Sequence, residues 1–120
     1  MNIHDLSISD CPITKAIINK NEIVYYFSEA YSKSLRQYIS NITIKIKDWS
    51  KFSGKHFISK SPFEKPLIKV ILENEIEPFE LIQEFSIKNN DISFKGCSSK
   101  SKAWLEYTFQ NPNIEVISNP

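Results

Sequence analysis

Glycine is nearly absent: only Gly54 and Gly96 occur in 120 residues. No G-x-x-x-x-G-K-[ST] or G-x-G-x-x-G phosphate loop can be drawn from them. Cysteine and histidine are as scarce, with two of each. Cys11 and Cys97 lie far apart, so no disulfide framework is expected, only two buried or half-buried thiols. With His4 and His56 they form no C-x-x-C or H-x-x-x-H spacing, so neither a metal site nor a cofactor is expected. Long apolar runs are missing too. The longest are stretches such as "IVYYF" (Ile23 to Phe27), far short of the roughly 20 residues a membrane helix needs. "MNIHDLSISD" lacks a basic start and an apolar core, so no secretory signal is read and a cytoplasmic location is expected.

A basic excess is also lacking. The formal net charge is +1, which argues against general nucleic-acid binding. The charges are nevertheless segregated. From Lys45 to Lys69 there are seven lysines (45, 47, 51, 55, 60, 65 and 69) against Asp48 and Glu64, a local excess of +5. From Val70 to Ile87 there are Glu73, Glu75, Glu77, Glu80 and Glu84 and no Lys or Arg, a local excess of −5.

What is abundant is isoleucine: 19 Ile against 6 Leu. β-Branched residues lose side-chain freedom in helices and suit strands. "NITIKIKD" alternates Ile42, Ile44 and Ile46 with Thr43, Lys45 and Lys47, as a half-buried strand does. "AIINKNEIVYYFSEAY" reads as two strands around a turn near Lys20-Asn21, and "FSIKNNDISFKG" as two around Asn89-Asn90, because Asn tolerates the left-handed backbone of a tight turn. "AWLEYTF" places Leu105, Tyr107 and Phe109 on one face, and "IEVI" (Ile114 to Ile117) makes a short last strand. "EPFELIQEF" is the best helix candidate: Pro78 suits a first turn, and Phe79, Ile82 and Phe85 would share a face. "YSKSLRQYI" reads as a helical turn or a wide loop. Leu67 to Glu73 fits a strand or a short helix, with Ile and Val favouring strand. Ser50 to Pro66, with Gly54, Pro62 and Pro66, reads as the longest loop. The expected fold is one mainly β domain spanning 1–120, an antiparallel meander of about seven strands forming a curved sheet or sandwich, with one or two short helices.

Catalytic signals are thin. His4-Asp5 lacks the further ligands of a phosphohydrolase, so Asp5 reads as capping a turn and His4 as opening the first strand. A thiol–imidazole pair from Cys97 or Cys11 with His56 or His4 is not required by any spacing. "KGCSSKSKAWLEYTF" reads as a polar turn, Gly96 ending one strand and Trp104 restarting the next, rather than as an anion site. The chain is therefore not read as an enzyme. The glutamates 73, 75, 77, 80 and 84 are candidates for a negative patch that meets a basic partner. Trp49 and Trp104 read as core-edge anchors or, where exposed, as interface residues. The lysine block offers an alternative, a small nucleic-acid- or ligand-binding module with Trp49, Phe52 and Phe57 supplying stacking.

The order of "IHDLSI", "NEIVYYF", "NITIKIKDW", "DISFKG" and "AWLEYTF", about a third of the chain, resembles the small bacterial immunity proteins of polymorphic toxin systems, contact-dependent growth inhibition immunity proteins being the nearest group. The resemblance implies a cytosolic, non-enzymatic protein that binds the C-terminal domain of one cognate toxin and covers its active or partner-binding surface. If that toxin is a nuclease, the glutamates would stand in for phosphate charge. Neither a membrane nor a nucleic acid is expected as partner. An unpaired strand edge would permit a homodimer.

Overall fold

The computed structural model describes residues 2–59 and 65–118. Ten strands form two antiparallel sheets: β1 (Leu6–Ser7), β2 (Ile13–Asn19), β3 (Glu22–Ser32), β4 (Gln37–Lys47), β5 (Lys51–Ile58), β6 (Leu67–Ile71), β7 (Phe79–Lys88), β8 (Asp91–Ser98), β9 (Trp104–Gln110) and β10 (Asn113–Ser118). The first sheet runs β1-β3-β4-β10, with β2 also on β3. The second runs β6-β5-β9-β8-β7. The chain is mainly β, as expected, with more strands than the seven read from pattern. In place of short helices, the described residues hold two three-residue 3-10 turns, Ile3–Asp5 and Glu73–Glu75.

The core lies between the sheets. Ile23, Tyr25 and Phe27 of β3 and Ile42, Ile44 and Ile46 of β4 face Leu105, Tyr107 and Phe109 of β9 and Ile92 and Phe94 of β8, all nearly fully buried. Aromatic rings cross the gap: Tyr25 lies 6.3 Å from Phe79 and 6.1 Å from Phe94, centroid to centroid. Such tilted and edge-on pairs add to the burial of the rings themselves. The left-handed turn positions, glycine's usual places, fall mainly to Asn and Asp, among them Asn21, Asp48 and Asn111. Asn89 and Asn90 both have positive φ between the paired residues Lys88 and Asp91. This is the backbone a two-residue hairpin turn requires.

Several expectations are corrected. "EPFELIQEF" is not helical but opens β7. Its register slips between Phe79 and Leu81 and again between Ile82 and Glu84. Each bulge inserts a residue, so a spacing of three returns to the same face, and Phe79 and Ile82 are buried with Phe85 half-buried beside them. The proposed long loop from Ser50 contains β5 instead. Its inward positions are Phe52, Gly54 and His56, and a glycine and a histidine hide the apolar alternation. The rest of that loop, residues 60–64, lies outside the described residues. "YSKSLRQYI" is a strand, a four-residue turn and a strand, with Ser32 paired to Gln37. Leu67 to Ile71 is strand, as favoured. His4 sits in the first 3-10 turn rather than a strand. Asp5 does cap a turn: it accepts from the Ser34 N–H and from the hydroxyls of Ser32 and Ser34 across the β3–β4 connection. Gly96 lies within β8 rather than at its end.

Candidate functional site

The residues between β6 and β7 decide where the glutamates go. After Ile71 the chain leaves the sheet, makes the second 3-10 turn at Glu73–Glu75 and crosses the end of the sandwich through Ile76 and Pro78. Glu75 turns back: its Oε1 accepts the Leu72 N–H at 3.0 Å and its Oε2 meets Lys69 Nζ at 3.1 Å. These two donors, the N–H first, hold its carboxyl below the usual carboxylate range. Glu73 Oε1 accepts from the Trp49 indole N–H at 3.2 Å. The Trp49 ring packs on Phe109 with centroids 4.8 Å apart. A recess of about 450 Å³ opens here, lined by Ile18, Trp49 and Ile76 together with Asn19, Lys20, Asn21, Glu73 and Asn74. Its walls are largely apolar, and one carboxylate, one lysine and several side-chain amides line it as well.

Glu77 points inward instead. Its Oε1 accepts from Ser98 Oγ at 2.7 Å and Ser101 Oγ at 2.6 Å. Ser98 Oγ in turn accepts the N–H groups of Lys100 and Ser101. The serine-rich stretch is thus a polar connector, as its composition suggested, and its hydroxyls clamp a carboxylate. Beyond Glu77, Tyr107 Oη accepts the Glu77 N–H at 3.0 Å and lies 2.7 Å from His56 Nε2. With the phenol donating to Nε2, the ring proton sits on Nδ1, 3.8 Å from Glu77 Oε2. Burial pushes the Glu77 carboxyl up, but the hydroxyls of Ser101 and Ser98, with His56 and Lys100 nearby, outweigh it and the net shift is downward. Burial pushes the His56 imidazole down, against the opposing pull of Glu77.

The fold therefore holds His56 neutral, and the sign of the pH effect follows. Above about pH 6.5 the unfolded imidazole is neutral as well, and His56 leaves stability unchanged. Below that, the unfolded chain takes up the proton first, so stability falls with pH until the lowered folded-state pKa is passed. Urea midpoints are expected to drop between pH 7.5 and pH 5.5 in the parent and to drop less in His56→Gln. Equal drops would assign the effect to other groups.

The remaining glutamates are scattered. Glu80 meets Lys102 Nζ at 3.3 Å. Glu84 lies across the ladder from Lys95. The run of five is thus divided among a surface recess, an internal clamp and cross-strand partners, and Glu73 and Trp49 are the two candidates the fold joins directly. Trp104 lies apart from them, half-buried on the outer face of the second sheet, where its indole N–H donates to Glu106 at 3.1 Å. The lysine block is divided too. Lys45 and Lys47 belong to β4 in the first sheet, while Lys51, Lys55 and Lys69 belong to the second; Lys60 lies outside the described residues.

Cys11 is buried and Cys97 half-buried, both as free thiols. In the ladder Cys97 pairs with Trp104 and Trp104 with Phe57, whereas His56 is level with Leu105 and Gly96. Alternation puts Cys97 and His56 on opposite faces of the sheet. Among the described residues no group of three or more His, Cys, Asp or Glu is placed to hold a metal ion, and no helix is long and apolar enough to cross a membrane. The recess and the His56–Tyr107–Glu77 network depend on long-range pairing. The only sequence signal for the network was the inward parity of His56 with Phe52, had β5 been recognised.

Comparison of the chain with protein-family models, with curated proteins and with solved structures returned no match.

Proposed function

We propose that this chain is an immunity protein that binds the C-terminal domain of a cognate toxin and neutralises it by covering its active or partner-binding surface. The observation that carries this reading is the Trp49–Glu73 recess. An apolar hollow lined also by a carboxylate and a lysine fits an apolar anchoring side chain flanked by charges that complement Glu73 and Lys20, the kind of contact that dominates protein–protein binding energy. The indole holds the carboxylate in place, so little side-chain freedom remains to be lost on binding. The sequence resemblance points the same way. The reading places the protein with its toxin in the cytoplasm and expects, in the neighbouring reading frame, a large secreted protein with a variable C-terminal domain.

Co-expression with that domain is the test. Cells making both proteins should survive where cells making the domain alone do not; no rescue would end the proposal. The surface is tested separately. Glu73→Lys should weaken binding by about tenfold or more, through the lost charge and the repulsion that replaces it. Glu80→Lys, further along the acidic run and paired with Lys102, should change it far less. Equal effects would move the contact away from the recess. The alternative of a nucleic-acid or ligand module built on Lys45–Lys69 gains nothing from the fold, because that block is split between two sheets and Lys69 is already paired with Glu75.

A further inference from the structure

We propose that β6 pairs antiparallel with β6 of a second copy of this chain, about a two-fold axis through Val70, joining two five-stranded sheets into one. The argument begins with exposure. Among the described residues seven large apolar side chains are exposed, and four of them are Leu67, Ile68, Val70 and Leu72, between 55% and 73% accessible. Leu67, Ile68 and Val70 sit on an edge strand whose other side is paired to β5, and Leu72 follows directly after its end. The opposite edge of this sheet, β7, presents Glu80, Gln83, Glu84, Ser86 and Lys88 among its exposed residues, and in the first sheet the edge strand β10 presents Asn113, Glu115 and Ser118 and the edge strand β2 presents Thr14, Lys15 and Asn19. Polar and charged side chains of that kind blunt an edge against pairing. On β6 the one charge is Lys69, which lies on the inner face level with His56 and is tied to Glu75.

The side-chain pattern of β6 chooses both the occupant and the register. Two copies that continue one sheet with like faces together must place a residue on the axis, and three centres pair at least three of the five β6 residues. Centring on Lys69 sets two ammonium groups opposite each other, about 5 Å apart at Cβ, which is unfavourable. Centring on Ile68 sets Val70 against Pro66, which has no N–H to give the ladder. Centring on Val70 sets Val70 against Val70 and brings Ile68 level with Leu72 of the second copy, just past the end of β6, so the exposed outer-face row meets itself with no charge in it. Lys69 then opposes Ile71 and keeps Glu75. The strand is thus complementary to itself in a single register. Its length limits the area covered to well below the roughly 1,000 Å² that a stable interface clears, so the dimer is a weak one that forms at high concentration.

Sedimentation of the full chain from about 1 µM to about 500 µM should show the mass rising from monomer toward dimer, a range suited to so small an interface. Val70→Lys should hold it at monomer while leaving the urea midpoint within error of the parent, since Val70 is exposed. In a Cys97→Ser background, Val70→Cys should form an intermolecular disulfide under mild oxidation, because residues on the axis lie within bridging distance. Lys69→Cys, two positions out of register with its own copy, should not. A mass constant at monomer throughout, or a dimer indifferent to Val70→Lys, overturns the proposal. Bridging by Lys69→Cys as readily as by Val70→Cys overturns the register. None of these outcomes touches the toxin-binding reading, which stands or falls on rescue.

Discussion

Replacing Gly96 with alanine is expected to cost about 3 kcal/mol or more, a large part of a small domain's stability. Gly96 has no left-handed backbone to maintain; the constraint is space. A Cβ there would fall 2.0 Å from the Leu81 carbonyl oxygen and 3.1 Å from Ile82 Cα. These are backbone atoms of β7 between its two bulges, where the strand bends in over β8. They cannot turn aside as a side chain does, and moving them breaks the pairing of Ile82 with Gly96. Gly54 is the natural comparison. Its added Cβ would meet Phe52 Cζ at 2.4 Å and Ile71 Cγ1 at 2.9 Å, both side-chain atoms. Gly54→Ala should therefore lose less, about 1–2 kcal/mol, as the ring and the isoleucine shift. Urea unfolding of the two variants against the parent decides it. Equal losses would mean that the backbone wall at Gly96 gives way.

The two buried tyrosines should respond in opposite ways to loss of the hydroxyl. Tyr107 Oη satisfies the Glu77 N–H and is hydrogen-bonded to His56 Nε2. Tyr107→Phe leaves a half-buried backbone donor and a buried ring nitrogen without this partner, at a cost of roughly 2–4 kcal/mol. Tyr25 is fully buried, and its hydroxyl finds no hydrogen-bond partner among the described residues. Burial pushes that phenol far above its ordinary pKa. Tyr25→Phe keeps the ring contacts with Phe79 and Phe94 and removes only an unpaired polar atom, so stability should stay within about 1 kcal/mol of the parent or rise. A loss at Tyr25 as large as that at Tyr107 would show that the Tyr25 hydroxyl is paired after all.

How far the fold was legible depended on whether a strand announced itself through apolar alternation. β3, β4 and β9 did, because their inward positions are Ile, Tyr, Phe and Leu, and the hairpins at Lys20-Asn21 and Asn89-Asn90 did, because Asn marked the turns. β5 did not, since Gly54 and His56 occupy its inward positions: one leaves room for Phe52, the other joins a polar network. β7 read as a helix because two bulges convert the period of two into a period of three. In each missed case the local pattern answered to a neighbour that sequence order does not show.

The candidate site followed the same division. That an acidic run follows a lysine-rich one was visible in the charges. That Glu77 would be drawn inside by Ser98 and Ser101, while Glu73 stayed at the rim against Trp49, was not.

By itself, then, the sequence determined the class of structure: isoleucine-rich alternation and asparagine turns specify antiparallel strands through local sterics and burial. Only the tertiary structure decided which strands share a sheet, which edge is left apolar and which of five glutamates lines the recess at Trp49. Those choices are made by hydrogen bonds and ring contacts between residues tens of positions apart, and no local preference encodes them.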